Sequence, residues 1–256
     1  MVWRKRSQFA SFRSAKPLCY TACGHESSVI ENTKKPPFNK GGWGDFPVAQ
    51  KMKAGEAVIE ILRQEGVSHI FGIVGSSFLD ILDPLYDRTD VEFIGVRHEQ
   101  GAALMADGFG RISGKPGVVL VTNGPGVLNL TFGVGSAYVA HSPMIILAPS
   151  ASREHQYRDS TQEFDQVALF KPITKACFPV NKIERLPDAL RHAFRVATSG
   201  KMGPVMVDIP RDLLPGGEVD LEMLPPDTYR SGQTRSRGDR SLIDKAASVL
   251  LSAQRP

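Results

Sequence analysis

The run Arg97-His98-Glu99-Gln100-Gly101-Ala102-Ala103 carries the residue best placed to do chemistry. It follows an apolar run, Val91 to Val96, and opens a helix-like run, Glu99 to Ser113, in which Ala103, Ala106, Phe109 and Gly110 share one face. A carboxylate thus stands at a helix start, at the C-terminal edge of a parallel sheet, where open α/β sheets keep their ligand sites. A first-turn acid also complements the helix dipole, so both readings of Glu99 stand on this ground. His98 beside it is read as structural, because adjacent side chains on a helix diverge.

A second candidate is Asn123-Gly124-Pro125-Gly126, a turn between a strand and a helix. Bare glycines there would let a ligand approach the backbone, as in a Rossmann-type dinucleotide site. Asn129 stands where the third glycine would be, and no acid closes the following strand. No Gly-x-x-x-x-Gly-Lys-Ser/Thr run and no Gly-x-Ser-x-Gly run occurs, which excludes a P-loop and argues against a hydrolase elbow. Cys19-x-x-x-Cys23-x-His25 lacks a fourth ligand, so no metal site is assigned. The polar segment Arg153 to Phe164 is long enough to be a functional loop or a solvated one.

These residues need a scaffold. The 256 residues, 41% hydrophobic and 23% charged, suit a soluble globular protein with ample core. No apolar run approaches the ~18 residues of a membrane span. Nine of the 31 Lys/Arg and three of the 27 Asp/Glu fall in 1–51, which leaves 22 basic and 24 acidic residues beyond. The net charge of +4 is therefore a property of the N-terminal segment, and no nucleic-acid partner is implied. Three cysteines are too few for a disulfide framework and suit a cytoplasmic protein.

The order of elements predicts an α/β fold, a doubly wound parallel sheet with helices on both faces. Strands are expected at His69–Val74, Val91–Val96, Gly117–Thr122, Met144–Ala148, Ala176–Val180 and Val205–Ile209. Helices are expected at Lys53–Glu65, Phe78–Tyr86 (Leu79, Leu82 and Leu85 inward), Glu99–Ser113, Val127–His141 and Leu186–Thr198. Residues 1–51 show no sustained period. They read as a disordered or mis-assigned extension ahead of a start at Met52, although the acid-free first 25 residues resemble a transit peptide in composition. Residues 216–240, with Pro225-Pro226, read as a linker. Residues 241–256 read as the first helix of an incomplete central domain, since one helix cannot bury its own apolar face.

Taken in order, these motifs resemble one family: the N-terminal pyrimidine-binding domain of thiamine-diphosphate enzymes of the acetolactate synthase and pyruvate oxidase type. Phe71-Gly72-Ile73-Val74-Gly75 resembles its first strand and turn. His98 to Ala102 with Met105 to Arg111 resembles its Glu-bearing helix. Thr122 to Gly126 with Asn129 resembles its Gly-Pro-Gly turn. Gln162-Glu163 with Pro172 to Lys175, and Gly203 to Asp212, resemble its later loops and closing strand. The resemblance covers roughly 53–215, and the pyrimidine domain is assigned to 52–215.

The resemblance implies that Glu99 hydrogen-bonds N1′ of the cofactor's aminopyrimidine and so promotes loss of the proton at the thiazolium C2. It implies that Val74, Gly75, Thr122, Gly126 and Asn129 line the pyrimidine pocket, and that Gln162 and Lys175 lie near the substrate entrance or an interface. Val74 stands where the family often has Pro, and Thr161 where it often has Phe, which leaves the substrate class open. The presence of Glu99 argues against glyoxylate carboligase. The family holds the diphosphate through Mg²⁺ with a Gly-Asp-Gly and a later Asn, and FAD, where present, in its central domain; no Gly-Asp-Gly occurs here. The chain therefore looks like the amino half of a carboligase or decarboxylase of 2-keto acids such as pyruvate, inactive alone. The alternatives are a non-catalytic subunit or remnant that pairs with a separate diphosphate-binding chain, and, more remotely, a dinucleotide-binding protein. A homodimer, or a partner chain with the diphosphate domain, is implied.

Overall fold

The computed structural model describes residues 49–230 and 238–255. The chain enters as strand β1 (Ala49–Lys53) and turns into helix α1 (Ala54–Gln64). Ala57, Val58, Ile61 and Leu62 bury one face of α1, and Gly66 closes it in the left-handed conformation (φ 75°). Strand β2 (His69–Gly72) follows, then the short helix α2 (Leu79–Leu82), β3 (Glu92–Gly95) and helix α3 (Glu99–Ser113). After β4 (Gly117–Leu120) come α4 (Pro125–Leu128), α5 (Thr131–Ala140) and β5 (Met144–Ser150). Helix α6 (Gln166–Phe170), β6 (Ala176–Pro179), α7 (Leu186–Thr198) and β7 (Pro204–Pro210) complete the alternation.

The strands β2 to β7 form one parallel sheet in the order β3-β2-β4-β5-β7-β6. Because strand side chains alternate, each buried strand feeds two cores. Val118, Leu120, Ile145, Leu147, Val205 and Val207 pack with α1, α2 and α7 on one face. Val119, Val121, Met144, Ile146, Ala148 and Met206 pack with α3, α5 and α6 on the other. The expected doubly wound α/β fold is the one found. The strand order reverses between β2 and β4: β3 lies on one side of β2 and β4 on the other. That reversal makes the C-terminal ends of β2 and β4 the switch point, where open sheets form their ligand crevice.

Three expectations at element level need correction. The helix expected over 78–86 is only α2, flanked by 3₁₀ turns, because Pro84 lacks an N–H and its ring crowds the preceding turn. Leu79 is 52% exposed, and Phe78 and Ile81 are buried instead. The helix expected over 127–141 is broken between α4 and α5, where Leu130 N–H bonds back to Val127 O in a tighter turn. Finally, residues 216–240 are not all linker. Strand β8 (Glu218–Glu222) pairs antiparallel with β1, Ala49 opposite Glu222, and buries Val219 and Leu221. Residues 49–51, assigned to the extension, belong to that pair.

Helix α8 (Pro226–Tyr229) then brings the chain back against α1. Tyr229 Oη donates to Glu65 Oε1 at 2.5 Å, and Arg230 pairs with Glu65, whose side chain is fully buried. Arg230 also lies over the Phe194 ring. Helix α9 (Arg240–Ser252) is exposed along its length, with Leu242, Ile243, Val249, Leu250 and Leu251 all facing solvent. Among the described residues no helix is long and apolar enough to cross a membrane.

Candidate functional site

At the switch point, Gly75 follows β2 and Thr122 follows β4. A methyl group at Gly75 would lie 2.7 Å from Thr122 Cβ, so glycine is required for the approach. The Ser77 and Thr122 hydroxyls are 3.1 Å apart and hydrogen-bonded, which fixes the threonine rotamer at the crevice wall. Val74, the residue before Gly75, is 51% exposed beside the crevice.

Glu99 is the first residue of α3, with His98 as its N-cap. The His98 Nδ1 accepts the Gln100 N–H at 3.2 Å, which is a structural role for the imidazole. Helix α3 is held from behind by close packing: a methyl at Gly133 of α5 would lie 2.5 Å from Ala103 Cβ. Buried Asp107 accepts from Arg111 (2.7 and 2.9 Å) and from Ser136 of α5 (3.0 Å). These contacts outweigh burial, and the Asp107 carboxyl sits below its usual range.

The break between α4 and α5 turns Asn129 toward α3. Its Nδ2 donates to Glu99 Oε2 at 2.9 Å. Gly126 faces the same carboxylate: a methyl there would sit 3.5 Å from Glu99 Oε1 and 2.9 Å from Thr122 Cγ2. Oε1 accepts no hydrogen bond among the described residues, so one oxygen is oriented by protein and the other is left for a ligand. Such a carboxylate can accept a hydrogen bond from a ring N–H, or share a proton with a ring nitrogen. The bare Gly75 and Gly126 let their backbones close on Thr122, and Gly126 lets the backbone approach the Glu99 carboxylate. Glu99, Gly75, Thr122, Gly126 and Asn129 are thus brought together.

Gln162 joins them through its backbone. Gly124 (φ 63°) packs so closely that a methyl on it would lie 2.1 Å from Gln162 O. The buried Asn123 side chain donates to that same carbonyl at 3.4 Å. Lys175 does not join them. It precedes β6, at the N-terminal edge of the sheet and so on the side away from the crevice. Its Nζ donates to Val196 O (2.5 Å) and Ser199 O (2.8 Å), capping the end of α7, and burial pushes its amine below the usual lysine range.

Two contributors were not singled out from sequence: Ser77, and Asn123 as the clasp on Gln162. Asn123 lay inside a quoted motif, but its partner is 39 residues away and carries no local signature. Among the described residues no cluster of three or more His, Cys, Asp or Glu could hold a metal ion. Cys19, Cys23 and His25 lie outside the described residues.

A family model described as "Thiamine pyrophosphate enzyme, N-terminal TPP binding domain" matches residues 52–169. The probable acetolactate synthase large subunit of Methanocaldococcus jannaschii is 42% identical over 208 residues, 80% of this chain and 35% of that protein. The acetolactate synthase large subunit of Haemophilus influenzae is 39% identical over 208 residues, 81% of this chain and 36% of that protein. The acetolactate synthase of Bacillus subtilis is 41% identical over 164 residues, 64% of this chain and 29% of that protein. The chain spans about a third of the length of the curated relatives it matches.

Proposed function

We propose, from the premise that this chain belongs through residues 52–169 to the thiamine pyrophosphate enzymes, that its Glu99 crevice holds the aminopyrimidine end of thiamine diphosphate for acetolactate synthase-like chemistry on 2-keto acids. The observation that carries this reading is the Asn129–Glu99 hydrogen bond, which orients one carboxylate oxygen and leaves the other facing Gly126. The residues fit the group. A flat ring can approach the bare backbone at Gly126, and a ring nitrogen can share a proton with Glu99 Oε1.

When bound, thiamine diphosphate supplies the carbon nucleophile and electron sink that 2-keto acid decarboxylation or carboligation requires. The chain's own contribution is positional and protonic. Glu99 holds or shares a proton at the ring nitrogen, and Asn129 fixes the carboxylate's direction. Thr122, locked by Ser77, and the backbone at Gly75 and Gly126 wall the ring. The hydrogen bonds of Asn123 and the Gly124 turn hold the Gln162 backbone beside them, next to the crevice where a keto acid would enter.

No Gly-Asp-Gly occurs in the 256 residues, so the diphosphate and its Mg²⁺ would be held by residues outside them. In this reading those residues come from a partner chain or from a second copy in a longer homodimeric form, as would any FAD site. The same observation supports the second reading, a subunit that completes a site with a separate diphosphate-binding chain.

The test is complementation. The purified chain with thiamine diphosphate, Mg²⁺ and pyruvate should show no turnover. Adding a diphosphate-domain chain from one of the relatives should give turnover that Glu99→Gln abolishes. Activity independent of Glu99 would refute the assignment.

A further inference from the structure

The segment between β5 and α6 is bolted at both ends. At its start, Arg153 N–H and Nε donate to Asp212 (3.0 and 2.8 Å), and Arg153 Nη1 donates to Asn181 O. At its end, Asp165 caps α6 through Ala168 N–H (2.8 Å), and Gln166 Nε2 donates to Pro149 O (2.9 Å) and to buried Asp208. Between the bolts, three non-glycine residues, Tyr157, Asp159 and Gln162, take left-handed backbone conformations (φ 63°, 52° and 63°). L-residues adopt that conformation only when neighbouring contacts impose it, and such strain collects at functional sites.

One side chain supplies those contacts. The Glu163 carboxylate accepts the Tyr157 N–H (2.6 Å) with one oxygen, and the Ser160 N–H (2.9 Å) and Ser160 hydroxyl (3.0 Å) with the other. Three donors converging on one carboxylate close residues 157–163 into a ring, and Glu163 is adjacent in sequence to Gln162. The carbonyl of Gln162 is the group that seats on Asn123 and against bare Gly124, in the turn that leads to Gly126.

We propose that Glu163 is a positioning residue for the cofactor pocket: by organising 157–163 it presses the Gln162 carbonyl onto the Asn123–Gly124 turn and so sets the far wall of the Glu99 crevice. This rests on the reading of that crevice as a thiamine-diphosphate site. The same N–H donors that build the ring hold the Glu163 carboxyl below its usual range, so the acceptor is ionised at neutral pH.

The experiment compares the full chain with Glu163→Ala and Glu163→Gln. Amide hydrogen exchange is followed in peptides covering 155–164 and 122–129, and thiamine diphosphate affinity is measured with Mg²⁺ present. Glu163 is at the surface, so both variants should fold, and melting curves check this. Exchange should accelerate about tenfold or more in both peptides, and affinity should fall about fivefold or more, which are losses typical of removing a charged acceptor. Glu163→Gln should fall between wild type and Ala, because its amide keeps one acceptor oxygen and sets an NH2 against the other N–H. The proposal is overturned if faster exchange stays within 155–164, if Glu163→Gln matches the wild type, or if affinity survives a loosened turn. Should the wild-type chain itself fail to bind, the cofactor reading falls; exchange at 122–129 then still decides whether Glu163 sets the turn.

Discussion

Asn129 Nδ2 lies 2.9 Å from Glu99 Oε2, so the break between α4 and α5 is tied to the first residue of α3. Removing that donor frees the carboxylate to rotate without disturbing either core. Asn129→Ala should weaken thiamine diphosphate binding by about tenfold or more, the usual worth of a hydrogen bond to a charged group. Its melting temperature should stay within a few degrees of wild type. Asn129→Asp should be worse, because two carboxylates would then face each other at hydrogen-bond distance. Calorimetric titration of the three proteins checks this; equal affinities would show that Asn129 is a bystander.

Gly126 tests the cradle from the opposite wall. A methyl 2.9 Å from Thr122 Cγ2 and 3.5 Å from Glu99 Oε1 would stand against the carboxylate oxygen assigned to the ring. Gly126→Ala should therefore abolish detectable binding while circular dichroism remains native. Its Thr122 contact needs a shift of a few tenths of an ångström, a cost of about 1 kcal/mol.

The tail after Pro210 should be part of the folding unit. Arg230→Ala would leave the fully buried Glu65 carboxylate with only Tyr229 as donor, a loss of about 3–5 kcal/mol. That corresponds to a fall in Tm of roughly 10 °C. A chain ended after Pro215 would lose buried Val219 and Leu221, about 3–6 kcal/mol of apolar burial, and strip β1 of its partner. Thermal melts decide: a 215-residue chain as stable as the full one would show that β8 is ornamental.

Asp208 carries a pH signature of opposite sign to most acids. Burial pushes its carboxyl above the ordinary value of 3.8, and the Gln166 hydrogen bond offsets this only in part. The folded state thus binds a proton that the unfolded state has already lost, so this group's contribution to stability falls as pH rises through that window. Asp208→Asn should be stabilising at pH 7, read as a higher Tm. The gain should vanish below about pH 3.8, where both states are protonated. A lower Tm at pH 7 would show that the ionised carboxylate is needed by its neighbours.

Much of the fold was legible because it rests on local period. Helices Glu99–Ser113 and Leu186–Thr198 run between the expected residues, and every expected strand of the parallel sheet is present. The strand ends were less so: His69–Val74 stops at Gly72 and Gly117–Thr122 at Leu120, because pairing ends where β2 and β4 diverge to open the crevice. Strand β8 was missed although Val219 and Leu221 alternate with acids, since its partner β1 lies about 170 residues earlier and Gly and Pro flank it. The site followed the same division. Glu99, Gly75, Thr122, Gly126 and Asn129 converge as the ordered motifs implied. Lys175 went elsewhere, because nothing local distinguishes a lysine that enters a pocket from one that caps a helix. Glu163 acquired its role only from a loop whose left-handed residues no sequence period announces.

The most direct test is a titration of the chain with thiamine diphosphate and Mg²⁺, followed by NMR or calorimetry, in wild type and Glu99→Gln. In the proposed reading the diphosphate is held by residues outside these 256, so the affinity should be weak, on the order of 1 mM. The account predicts saturable binding that perturbs Gly75, Thr122, Gly126 and Asn129, and at least a tenfold loss in Glu99→Gln with an unchanged melting temperature. Binding of equal strength in the two proteins, or perturbations confined to other surfaces, would contradict it.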